Sequence, residues 1–141
     1  MGRVKRKNLY PDTLYRRVVG GHLLYAPVVL VSGGTTVYVS GLVSRDKEGN
    51  VIGKGDMGAQ IRQVGENLRL SLEAAGATLD DLVRTTTYTT EIDEFFKHVD
   101  VRHQYFGRAL PTSSTIGISR LSHPDFLVEV EAFAVIDEVA S

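Results

Sequence analysis

Cysteine is absent from the 141-residue chain, which excludes disulfides, thiol catalysis and thiolate metal sites. Long apolar runs are missing too, so no stretch reads as a membrane-spanning helix. Neither sign of charge prevails. Sixteen Lys and Arg against 17 Asp and Glu leave a net charge of -1, and the domain as a whole has no electrostatic reason to seek nucleic acid or an anionic membrane. Nor does the chain carry a G-x-S-x-G nucleophile elbow, a Walker loop or a dinucleotide fingerprint. Gly53, Gly55 and Gly58 read as turn formers, and there are no internal repeats, linkers or low-complexity segments. The opening M-G-R-V-K-R-K is basic but precedes no hydrophobic signal region, and Arg6 stands where a myristoylation signal needs Ser or Thr. Its four cations read as a solvated segment, and the chain as a cytoplasmic protein.

What is present fits one compact domain over residues 1–141, with 1–20 a partly extended basic segment. Hydrophobic residues make up 43% of the chain, enough for a real core. The clearest element is the last strand, Phe126 to Ile136. Because side chains alternate along a strand, Phe126, Val128, Val130, Ala132, Ala134 and Ile136 form an apolar face, whereas Leu127, Glu129, Glu131, Phe133 and Val135 share the other. The first face calls for helices, and the second, carrying two acids, for polar partners, water or a ligand.

Upstream, 22–31 and 36–43 read as strands joined by a Ser32-Gly33-Gly34-Thr35 hairpin loop, with Pro27 placing the first at an edge or bulge. A short extended piece at Val51-Ile52 follows a charged turn. Asp56 then caps a helix whose stripe is Ile61, Val64, Leu68, Leu72 and Ala75, stopped by Gly76. Gly65 lies on that stripe, where a missing side chain suits close approach to a sheet. Residues 82–90 are rich in threonine and β-branched side chains and read as a strand. Thr90 is placed to cap a second helix burying Ile92, Phe95, Val99 and Phe106, ended by Gly107 and Pro111. Strands at 112–119 and 126–136 complete an α+β domain of two layers, a mixed sheet with two helices on one face. Its other face, left wet in a monomer, predicts a homo-oligomer with sites between subunits.

Among candidate chemical groups, His98 and His103 are five apart on the second helix and diverge from one another, which argues for surface roles and against a metal pair. His123, in Ser122-His123-Pro124-Asp125, reads as part of a turn. Glu129 and Glu131 are stronger candidates, since burial raises a carboxyl's pKa toward values useful for proton transfer, although Arg84 or Arg120 could pair with them across the sheet. Ser113, Ser114 and Thr115 offer hydroxyls and backbone donors for a small polar ligand.

Several segments in order, V-Y-V-S-G (37–41), Q-I-R-Q-V-G-E-N-L (60–68), A-A-G-A-T-L-D-D-L-V (74–83), the aromatic second helix, Pro111 and V-E-V-E-A-F-A (128–134), resemble the Rid family, also called YjgF or reactive intermediate deaminase. The resemblance implies a chorismate-mutase-like (YjgF-type) fold and a homotrimer whose sheets line a central barrel. It also implies small-molecule sites in the clefts between subunits, and hydrolysis of enamines or imines without a cofactor or metal. Carried over by position, Glu129 matches the glutamate that positions water or relays protons. Tyr25, Gly41 and Thr115 match ligand-facing positions, and Asp100 stands where many members have Asn. The family's P-x-R motif falls on Pro111-Thr112-Ser113, so Ser113 replaces the arginine that holds a substrate carboxylate. A hydroxyl cannot reproduce that bidentate clamp. The resemblance thus implies either a hydrolase or deaminase whose substrate is not held by the usual clamp, or a non-catalytic trimer that binds metabolites or regulates partners.

Overall fold

The computed structural model describes residues 2–139. A four-stranded mixed sheet is its centre. In spatial order the strands are β5 (Thr35–Val43), β8 (Val128–Ile136), β6 (Leu82–Thr89) and β7 (Thr112–Gly117). β8 runs antiparallel to both neighbours, and β7 runs parallel to β6. Helix α1 (Met57–Ala74) connects β5 to β6, while α2 (Ile92–Phe96), α3 (Val99–Arg102) and a π-helical turn (His103–Gly107) connect β6 to β7. The helices lie on one face. Before the sheet come β1 (Lys5–Leu9), paired antiparallel with β4 (Val28–Ser32), and a small ladder of β2 (Val18–Val19) with β3 (His22–Leu23).

Alternation in β8 explains the layering. Val128, Val130, Ala132 and Ala134 are buried against the helices with Ile61, Val64, Leu68, Leu72, Phe95 and Phe106. A buried Val or Leu side chain stabilises the fold by roughly 1.5 to 3 kcal/mol relative to an exposed one, so this interface dominates stability. On the other face, Glu129, Phe133 and Val135 are half-buried and Glu131 is exposed, beside a Tyr38 that is 81% exposed. α1 begins at the expected cap, where Asp56 Oδ1 accepts from the Ala59 amide at 3.0 Å. Past its end, Gly76 adopts a positive φ of 77°. The extended piece at Val51 is a single bridge to Arg45.

Four local expectations change. The Ser32 to Thr35 segment does not close a hairpin, because β4 pairs with β1 while β5 pairs with β8, so the two strands join different sheets. The basic opening is structured: Arg6 donates to the carbonyls of Leu82 (2.7 Å) and Ala109 (2.8 Å). Gly65 makes room for the ring of Tyr105, not for a strand. The second helix is broken at Lys97–His98, and Thr90 does not cap it. Thr89 Oγ1 instead accepts from the Glu91 amide, and Ile92, expected in the core, is 38% exposed.

Candidate active site

Irregular backbone brings the first group of site residues together. Where a continuous strand from 22 to 31 was expected, the chain leaves β3 at Leu23 and re-enters a ladder only at Val28. Leu24 and Ala26 are buried, and the Ala26 amide donates to the Pro111 carbonyl at 3.1 Å. Tyr25 is thereby presented beside the start of β7. Parallel pairing of β7 with β6 sets Ser113 opposite Thr85 and Thr115 opposite Thr87. Thr85 and Thr87 are buried on the helix side of the sheet, so Ser113 and Thr115 point there too.

The result is a cleft of about 470 Å³ at the free edge of β7, lined by Tyr25, Ser113 and Thr115 together with Arg17, Phe96 and Arg102. Leu24 and Ile92 add apolar wall, and Asp93 is the one acid on its lining. Arg102 is the residue that sequence reasoning missed. It is 3% exposed, and its Nη2 donates to Ser113 Oγ at 3.4 Å, which also accepts from Thr85 Oγ1 at 3.1 Å. Burial, then the nearby charge of Arg17, pulls its pKa down to about 10, which still leaves it cationic at neutral pH. Arg45 and Arg108 do not line this cleft. Arg108 pairs with Asp80.

Gly41 and Glu129 form a second group. A bulge between Val39 and Leu42 interrupts the β5–β8 ladder, and a Cβ at position 41 would lie 2.6 Å from Glu129 Oε2. Only glycine therefore leaves the carboxylate where it is. Burial raises the Glu129 pKa above the usual carboxylate range, the Glu131 charge adds to the rise, and Arg45 opposes it. Arg84 and Arg120 are not its partners. Arg84 donates to Ser114 Oγ at 2.9 Å, Arg120 to a backbone carbonyl, and Glu131 accepts from Tyr88 Oη at 2.7 Å.

The two groups occupy opposite faces of one sheet. Tyr25, Ser113 and Thr115 meet in the cleft on the helix side, whereas Gly41 and Glu129 meet on the open side, with β6 between β7 and β8. One chain does not assemble all five. The histidines stay apart from both groups as active elements: His22 Nε2 meets Asp100 Oδ1 at 2.8 Å and stacks on His103 with ring centroids 4.2 Å apart. His103 is thus half-buried in a stack, not a surface residue, and burial with the charges around it lowers its pKa. His123 does close a turn, accepting from the Asp125 amide at 3.0 Å. Among the described residues, no three His, Asp or Glu side chains cluster in a way that could hold a metal ion. No helix among them is long and apolar enough to cross a membrane.

A mixed sheet with this strand order, helices on one face and a polar cleft at its edge define a chorismate-mutase-like α+β domain of the YjgF type. The chain belongs to the Endoribonuclease L-PSP family, the Rid or YjgF family, whose sequence model matches residues 24–136. A RutC family protein of Pyrococcus horikoshii is 36% identical over 104 residues, 74% of this chain and 82% of its own. A 2-iminobutanoate/2-iminopropanoate deaminase of Dermatophagoides farinae is 29% identical over 107 residues, 76% of this chain and 83% of its own. Among solved structures, the Rid family protein YyfB of Yersinia pestis superposes with a TM-score of 0.76 at 31% identity, covering 93% of this chain and 98% of its own.

Proposed function

We propose that the protein is a Rid-like hydrolase of small enamines or imines, a deaminase that works as a homotrimer without cofactor or metal. The observation that carries this reading is Glu129: a half-buried carboxylate with a raised pKa, seated on a glycine and facing a sheet surface that one chain leaves uncovered. A carboxylate so poised can accept a proton from water near neutral pH and return it. Water adds to the carbon of the C=N bond, and Glu129 takes its proton and passes it to the nitrogen. The C–N bond then breaks, ammonia leaves and a carbonyl remains. One water is consumed, and no electrons are exchanged.

In this reading the open faces of three copies meet around a barrel, and the oligomer completes the site that a single chain divides. Tyr25, Ser113, Thr115 and the Gly41 backbone orient the substrate, and Glu129 moves the proton. A deaminase name among the relatives supports the reaction class. Glu129→Gln, assayed for ammonia release from a panel of freshly generated imines and enamines, is expected to lose turnover while sedimenting as the wild type does. Undiminished ammonia release by that variant would remove the mechanism. The division of the site between two faces favours a second reading, a non-catalytic trimer that binds metabolites or regulates a partner. Ligand recovered unchanged across the whole panel would favour it.

A further inference from the structure

The short hairpin ahead of Tyr25 walls the cleft and is fastened by groups that the proposed reaction does not use. β2 and β3 are joined by Gly20 and Gly21, whose φ of 57° and 82° give the tight two-residue turn that suits paired strands. The ladder ends where the Leu24 amide donates to the Arg17 carbonyl at 3.1 Å, and both residues line the cleft. Leu24 is buried and Ala26 is tied to Pro111, so the hairpin is rooted at its downstream end. At its upstream end, residues 12–17 are all exposed and belong to no helix or strand. A ladder this short is not stable by itself and lasts only while it is seated.

Its seat is the helical side of the cleft. Arg17 stacks on Phe96 of α2, with its guanidinium carbon 4.5 Å from the ring centre. Gly20 rests so closely on α3 that a Cβ there would lie 2.7 Å from Val99 Cγ2. His22 Nε2 meets Asp100 Oδ1 at 2.8 Å, and its ring lies nearly flat on His103, with 4.2 Å between centroids and 15° between planes.

That last contact suits neutral rings. His103 Nδ1 is buried and has no hydrogen-bond partner among the described residues. A lone pair can be left there at little cost, whereas a second proton on the ring becomes a buried, charged donor with nothing to accept it. The surroundings oppose that proton too. Burial first, then His22 from β3, Arg102 from α3 and Arg108 beyond the π-helical turn hold His103 below the ordinary imidazole range, and Asp100 alone pulls the other way.

We infer that residues 17–23 form a flap on the cleft, latched onto the helices by the stack of His22 on His103 at neutral pH and released in acid as the stacked rings take protons. Freed from the stack, His103 binds its proton more tightly than when latched, so closure is complete above the ordinary imidazole range and is lost as pH falls through it. Release lifts Arg17 off Phe96 and opens the cleft on its β3 side. The device does not depend on the imine hydrolysis proposed above.

The test is amide hydrogen exchange of the wild-type protein, expressed as protection factors so that the intrinsic pH dependence of exchange cancels. Between about pH 7.5 and about pH 5, the Leu24 amide and the hairpin around it are expected to lose protection roughly tenfold or more, while α1 keeps its own. His103→Phe keeps a stacked ring that takes no proton, so its hairpin should be equally protected at both pH values. Asp100→Asn removes the one charge that favours the proton on the latched ring, and should move the loss to higher pH. Wild-type hairpin protection that ignores pH, or that falls in step with α1, overturns the inference, as does a loss that persists undiminished in His103→Phe. The wild-type comparison and Asp100→Asn decide the matter even if His103→Phe does not fold.

Discussion

The cleft and the acidic patch are opposites built on the same sheet. In the cleft, at the free edge of β7, a cation is almost wholly buried and incompletely bonded, and the lining residues come from loop, strand and helix. On the patch, along β8 and β5, Glu131 is exposed, Glu129 half-buried, and both come from a regular strand. The contrast teaches which part of each group is finished. The cleft is walled within one chain, whereas the carboxylates of the patch stand on a face that the chain leaves open.

That contrast can be broken most severely at Tyr38, the most exposed aromatic of the open face, packed on Phe133 with ring centroids 5.8 Å apart. Tyr38→Glu puts a charge where three copies are proposed to meet, and is expected to convert the proposed trimer to monomer in sedimentation and abolish turnover while leaving the circular dichroism spectrum of the fold unchanged. Glu129→Gln comes next. Loss of a general base predicts a fall in turnover of about 10² to 10⁴-fold. The same variant should unfold at a higher temperature at neutral pH. A carboxyl whose pKa is raised by folding costs stability above that pKa, and the advantage of the amide should vanish as pH falls below the ordinary carboxylate range.

Support beneath the patch gives a third test. Gln60, with no exposed surface, donates to the carbonyls of Gly53 and Asp125 and accepts from the Leu127 amide at 2.9 Å, fixing the chain just ahead of β8. Gln60→Leu strands those backbone groups and is expected to cost about 2 to 4 kcal/mol in denaturant unfolding. The smallest effect belongs to Glu131→Gln. Removing its charge takes away one of the two causes that raise Glu129, so the acidic limb of the pH–rate profile should move to lower pH with the plateau unchanged. A limb that stays in place would mean that burial alone sets the Glu129 pKa.

Much of the fold could be read from the chain because period and burial coincide. The α1 stripe and the apolar face of β8 each repeat at the spacing of one element and pack on each other, so local pattern and global contact agree. The patch was legible for the same reason, since two acids on one face of an apolar strand violate its pattern. The broken second helix was not. His98 takes a non-helical conformation between two short helices, which lets Phe95 and Phe106 both reach the core while Ile92 stays at the cleft rim.

By itself, then, the sequence determined the two-layer sheet, the acidic face of β8 and the hydroxyl at position 113, because each follows from alternation along one strand or from the residue itself. Only the tertiary structure decided that Tyr25, Ser113 and Thr115 stand on the opposite face from Glu129, and that Arg102 closes on Ser113. Those two lie eleven positions apart along the chain. A π-helical turn and a left-handed Leu110 at φ 49° reverse the chain between them, and parallel pairing with β6 sets the side on which Ser113 emerges. Such a contact depends on backbone turns and strand partners that leave no periodic trace, so in the sequence Arg102 reads as one more cation on a helix.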